Sequence, residues 1–192
     1  GVPISCGFAQ TGKTAGTVVS FSYDERGRQT EKRAFTATGE PTRASSDYPH
    51  LEKTEYGDDG RLYRLSYINS DGSPGLGIGV STHEYHYDPL GAQVSYRFLG
   101  LDGALGASSV GCAEIRSSYD DQHRLAGLAC LGRDGEPAPS TMLYMEVAWK
   151  KAARVEVVRD ATHHVVANVF YDRAGAQVRR DDCTESSTPC YR

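Results

Sequence analysis

The feature that most constrains this chain is a turn that recurs along most of its length. Aromatic residues stand at Tyr23, Tyr56, Tyr87, Tyr119, Trp149 and Tyr171, and the five residues beginning at each read YDERG, YGDDG, YDPLG, YDDQH, WKKAA and YDRAG. Successive aromatics are 33, 31, 32, 30 and 22 residues apart. A near-constant period of this size marks a repeat array, in which each unit is one supersecondary element stacked on its neighbours. A second set of turns, ATGE, SDGS, LDGA, RDGE and a degenerate RDAT, falls between the first.

The chemistry of these turns is specific. An aspartate at the first turn position bonds the backbone two residues on. A glycine at the end supplies the positive φ that a type I turn with a following bulge requires. Asp24 with Gly27, Asp88 with Gly91, and Asp172 with Gly175 therefore each close a hairpin. His123 replaces the glycine in the fourth copy, and histidine takes positive φ less readily, so that turn is expected to be strained or of another type.

The segments flanking the turns alternate with period two, as half-buried strands do. Val19, Phe21 and Tyr23 share one face, as do His83, Tyr85 and Tyr87, and Met145, Val147 and Trp149. After the turns, Tyr63, Leu65 and Tyr67, then Val94, Tyr96 and Phe98, then Ala126, Leu128 and Cys130 do the same. Ser20, Ser22, Glu84, His86, Glu114, Arg116 and Ser118 form the polar side. A slip of one residue would exchange the faces, so register is well specified. Leu125 to Leu131 is apolar on both faces and is expected to lie deepest. These patterns predict an all-β fold: a repeat-built, twisted antiparallel β-meander of about six hairpin units and ten to twelve strands. It is expected as an open curled sheet or a partial barrel. After Trp149 the repeat shortens by an even number of residues, which preserves the faces and suits a capping copy.

The Tyr-Asp-x-x-Gly-Arg pattern, carried by YDERGR at Tyr23 and without the arginine by YDPLG and YDRAG, resembles the YD-repeat, or Rhs-type, proteins of bacteria. It is also similar to MORN-like hairpin repeats. The resemblance spans Thr17 to Val178 and implies long twisted antiparallel meanders. It implies no catalytic residue, and six units are too few for a closed shell.

Three regions follow: a leader over 1–16, a single hairpin-repeat domain over 17–180, and a polar tail over 181–192. A net charge of −4 and a pI near 5.9 argue against nucleic acid as a partner. No apolar run has the length of a transmembrane helix. No signal peptide is visible; a mature chain would have lost one. The leader contains a match to the phosphate-binding loop G-x-x-x-x-G-K-[ST] at Gly7, Gly12, Lys13 and Thr14. That loop works when a helix follows it. Here a β-branched strand follows and reaches Tyr23 within nine residues of Thr14, so the nucleotide reading is set aside.

Five cysteines stand at Cys6, Cys112, Cys130, Cys183 and Cys190. Cys183 and Cys190 flank a short loop and suit a disulfide stapling the tail. Cys112 and Cys130 fall on the two strands of one hairpin, opposite or one step diagonal, and suit a cross-strand bridge. Cys6 is left over: free, paired between chains, or the lipidated anchor cysteine of a bacterial lipoprotein. The two pairings favour a periplasmic or extracellular location, with a reduced cytoplasmic protein as the alternative.

His83 and His86 form H-x-x-H, but residues three apart on a strand face opposite ways and do not share a metal. His163 and His164 diverge for the same reason. The paired aspartates lack the dense alternating ligands of a calcium loop, so no metal and no cofactor is expected. A turn aspartate present in several copies does scaffold work, and no enzyme is expected. Tyr63, Tyr67, Tyr96 and Phe98 are the candidate partner-binding residues, since an aromatic sheet face that no helix covers must curl on itself or meet a partner. The leading function is therefore a non-enzymatic protein-binding module. The repeat resemblance points further, to an immunity or inhibitor protein that blocks a secreted toxin or effector by steric occlusion. Alternatives are a carbohydrate or peptidoglycan binder and a structural fragment of a larger Rhs-like surface or shell protein.

Overall fold

The computed structural model describes residues 17–109, 111–140 and 152–183. They form eleven strands: β1 (Val18–Tyr23), β2 (Gln29–Phe35), β3 (Leu51–Tyr56), β4 (Leu62–Ile68), β5 (Thr82–Tyr87), β6 (Gln93–Leu99), β7 (Glu114–Tyr119), β8 (Leu125–Leu131), β9 (Ala152–Arg159), β10 (Val165–Asp172) and β11 (Gln177–Asp182). One sheet contains them all in chain order, so the all-β meander expected from the alternation is what forms. The order does not close: β1 and β11 are its two ends. Among the described residues there is no helix, and none long and apolar enough to cross a membrane.

The described residues divide into two compact units. One comprises 17–85 and 98–104; the other comprises 86–97 and the described residues from 105 onward.

Each repeat contains two turns of one kind, and their spacing is fixed. In an opening turn the first residue's N–H bonds the carbonyl four residues on, and the fourth residue's N–H bonds back to the first. This occurs at Asp24–Arg28, Gly57–Arg61, Asp88–Ala92, Asp120–Arg124 and Asp160–His164. A return turn with the same bonds begins twelve residues later in every case, at Thr36, Asn69, Gly100, Gly132 and Asp172. The described residues thus contain five repeats of two turns each. RDAT at Arg159 opens the fifth repeat, and YDRAG at Tyr171 is its return turn. The return turn at Asp172 has the Asp-x-x-Gly form of the opening turns at Asp24 and Asp88, so the local pattern alone does not mark YDRAG as a return turn. WKKAA closes no turn in the described part, where Ala152 and Ala153 lie in β9 and are buried. Trp149, with Met145 and Val147, lies outside the described residues.

His123 does not change the turn. It takes φ 61° and keeps the bonds of its glycine counterparts, and His163 does the same at φ 69° in the fifth repeat. The His123 ring stacks on Tyr119 with centroids 5.2 Å apart and lies 3.4 Å from Asp88. Those contacts offset a left-handed backbone cost on the order of 1 kcal/mol.

An extra residue bulges out of the strand after the opening turn: Thr30, Tyr63, Ala126 and Val166 are each skipped in the pairing. This bulge corrects one expectation. Tyr63 does not simply share the face of Leu65 and Tyr67, because the ladder slips beside it.

The tenth residue after each opening turn forms the core. Ala34, Tyr67, Phe98, Cys130 and Phe170 are all 3% exposed or less. The deepest strand is β10 rather than β8, with Ala167, Asn168, Val169 and Phe170 buried in succession. The tyrosine before each opening turn has another task. Tyr56 donates to the Gln29 carbonyl of the preceding repeat at 2.9 Å, and Tyr119 to that of Gln93 at 2.9 Å. In the fifth repeat Arg159 replaces the tyrosine, and its guanidinium reaches the matching carbonyl of Leu125 at 3.1 Å.

The return arm explains the last strand. In three repeats it makes one bridge at a proline and leaves the sheet: Phe35 with Pro41, Ile68 with Pro74, Leu131 with Pro137. Proline lacks the N–H that would extend the ladder. The fifth repeat has Gln177 there, and the arm continues as β11, two residues into the stretch read as tail.

Cys112 and Cys130 are joined by a disulfide with Cα atoms 5.4 Å apart. Cys130 lies opposite Ile115 in the ladder, and Cys112 reaches it from just before β7. Cys183 is also disulfide-bonded. Cys190, Cys6 and the phosphate-loop match at Gly7, Gly12, Lys13 and Thr14 lie outside the described residues.

Candidate functional site

The expected aromatic face is not an exposed row. Tyr67 and Phe98 are each 3% exposed, and the buried His83 ring packs edge-on to both at 5.5 Å. Burial pushes the His83 imidazole down to about 4 and the Tyr67 phenol far above its ordinary value. The cause is physical: the tenth position after the turn belongs to the core. Tyr96 is half-buried opposite Ile115. Of the four candidates, Tyr63 alone is well exposed, on its bulge, with the Arg64 guanidinium 5.2 Å from its ring.

Charged side chains are engaged with one another on the polar side. In the first unit Arg64 meets Glu84 at 2.5 Å and Arg33 meets Glu31 at 2.8 Å. In the second, buried Glu114 accepts from Ser95 at 2.7 Å, with Arg116 at 3.3 Å and Arg97 at 3.7 Å. Burial alone would raise the Glu114 carboxyl. The Ser95 and Arg116 hydrogen bonds and the two arginine charges outweigh it and hold the group low. The turn aspartates Asp24 and Asp120 are held low by bonds from Arg28 and Arg124 respectively, and Asp160 by its bond from Thr162. Among the described residues, no group of three or more His, Cys, Asp or Glu is placed to hold a metal. A cleft between Val19, Lys32, Tyr48 and Tyr67 has a volume of about 10 Å³, the size of one water.

The connection 73–80 carries a signal of a different kind. Gly77 and Val80 exchange main-chain bonds at 2.8 and 3.1 Å, closing a two-residue loop. Its central residues, Ile78 and Gly79, have φ 54° and 83°, both left-handed, as a type I′ turn requires. Asn, Asp or Gly normally takes the first of these positions, and a β-branched residue there is a true outlier. The loop is anchored from beneath. Val80 is fully buried, the Ile78 N–H donates to Asp47 at 3.2 Å, and a Cβ on Gly77 would sit 2.6 Å from the Tyr67 ring. On this base Leu76 and Ile78 are each 42% exposed. By local pattern SPGLGIGV is a glycine-rich connection. Asn-Gly is a recognised signal for this turn and Ile-Gly is not, so the unusual residue was visible but its conformation was not.

No protein-family model matches this chain. No curated protein matches it. Among solved structures, a crystal structure of TcdB2-TccC3-TEV aligns with it at 14% sequence identity and a TM-score of 0.45, over 87% of this chain. This chain spans 9% of that chain's length.

Proposed function

We propose that this chain is a non-enzymatic protein-binding module that acts through contact, with Leu76 and Ile78 as its anchor. The observation that carries this reading is Ile78. Its left-handed backbone costs about 1–3 kcal/mol, and the residue is 42% exposed on a loop anchored from below. A residue selected for folding alone would be glycine or asparagine. An outward apolar side chain held at the expense of stability supports a binding role, and rigid display lowers the entropy lost on association.

The finer reading is an immunity or inhibitor protein that covers the active site of a secreted toxin or effector. It draws on the Tyr-Asp repeat resemblance. The buried Cys112–Cys130 disulfide supports an oxidising location, in the periplasm or outside the cell.

The test uses Ile78→Gly and Leu76→Ser in the full chain. Ile78→Gly is expected to raise thermal stability by about 1 kcal/mol while removing capture of the protein partner from an envelope fraction. Lower stability with capture intact would assign Ile78 to folding and overturn the reading.

A further inference from the structure

We propose that His83 is a protonation-controlled prop beneath the Ile78 turn. As the neutral ring it holds Tyr67 under the turn; on taking a proton it releases the turn, and the Leu76 and Ile78 anchor with it. The inference rests on the binding role proposed above for what is released, and not for the release itself. It starts from a residue type. Four residues before the tethering position, the last two repeats carry Ile115 and Val155, 8% and 0% exposed. An aliphatic side chain therefore meets the packing need there, yet the third repeat buries an imidazole, 5% exposed.

The contacts that seat the Ile78 turn converge on Tyr67. The Gly75 N–H donates to the Tyr67 carbonyl at 2.8 Å, and the Tyr67 N–H donates to the Ser81 carbonyl at 2.9 Å. Both ends of the connection are thus bonded to one residue. The Tyr67 ring lies against Gly77, where a Cβ would be 2.6 Å away. It also meets the Tyr48 ring, with centroids 5.9 Å apart, and Asp47 beside Tyr48 accepts the Ile78 N–H. The same Tyr67 ring makes the edge contact with His83 at 5.5 Å, and His83 meets Phe98 at the same distance. Any displacement of His83 is therefore felt by the ring on which the turn sits.

The groups around this cluster favour the neutral ring. Leu65 lies opposite His83 on β4 and Phe98 packs against it from β6, and neither bears a charge. Tyr67, Tyr48 and Tyr85 bring phenols, which do not ionise in acid. Lys32 and Glu52 line the cleft shared by Tyr48 and Tyr67, and Glu52 pairs in the ladder with Tyr67 rather than with His83. Burial penalises a charge on His83 and lowers its folded value to about 4, against 6.5 in water. Acid therefore favours any state in which this ring meets water. Between pH 7 and pH 5 that linkage multiplies the opened population of the segment about 20-fold.

Amide hydrogen exchange on the full chain, with no partner added, tests this. The Gly75 and Gly77 amides are expected to be less protected at every pH than the Ala113 amide, which donates to Leu131 at 2.8 Å. They should also lose protection about 20-fold between pH 7 and pH 5, after correction for intrinsic exchange. His83→Ile, which copies the fourth repeat, should remove that loss, and Glu52→Gln should leave it in place. These readouts do not depend on capture, so a partner indifferent to Ile78→Gly would sink the binding role and leave the prop standing. Gly75 and Gly77 protected as strongly as Ala113 would show that the turn opens only with the whole fold, and would overturn the proposal. So would a loss that persists in His83→Ile or one that vanishes in Glu52→Gln.

Discussion

Two positions in the repeat behave differently although both are commonly aromatic. The residue ten after the opening turn is buried throughout: Ala34, Tyr67, Phe98, Cys130 and Phe170. The residue just before the turn stays nearer the surface and tethers one repeat to the previous one through a single polar contact, as Tyr56, Tyr119 and Arg159 do. The buried position varies from alanine to phenylalanine, so it selects for apolar character and local volume. The tethering position even accepts arginine, because only a donor of sufficient reach is required. One position therefore holds the fold by area removed from water and the other by direction.

The largest test is made at the buried position. Phe98→Ala should cost about 3–5 kcal/mol in chemical denaturation, as a large cavity in the core does. A cost under about 1 kcal/mol would show that this position does not carry the core.

His83, between Tyr67 and Phe98, gives a pH test of the same region. Its folded value near 4 lies below the ordinary 6.5. The unfolded chain therefore takes the proton first. Stability is full above about pH 6.5 and falls as pH drops toward 4, by about 3 kcal/mol in all. The low-held carboxylates Glu114 and Asp120 also lose stability on acidification, but only at lower pH. His83→Gln should flatten the slope between pH 6.5 and 4.5; an unchanged slope would place its origin elsewhere.

The smallest effects sharpen the tethering side. Tyr119→Phe removes the bond to Gln93 and should cost about 1 kcal/mol. Tyr23→Phe removes a hydroxyl with no partner in the described chain and should change stability by a few tenths at most. Equal costs at the two sites would show that the tethering bond carries no stability.

The sequence carried the architecture because both turns depend on short-range chemistry. Asp24 and Asp120 bond amides two and four residues on, and these bonds form wherever the residues occur. Period-two alternation marked the strands for the same local reason. The same locality hides the role of each turn: YDRAG and YDERG are equivalent locally, and only pairing shows that one is a return turn. The candidate site was less legible. Tyr67 and Phe98 have the composition of an aromatic platform, but their burial depends on the loop seated over Tyr67 and on His83 from a neighbouring strand.

By itself, then, the sequence determined the class of fold, the turns and the strand periodicity, all set by interactions within a few residues. Tertiary structure alone decided which turn opens a repeat and that Gln177 lets the last arm become β11. It also decided that Ile78 is held left-handed and that β10 lies deepest. Each of these depends on which main-chain groups are already bonded to a distant strand, and no local pattern records that.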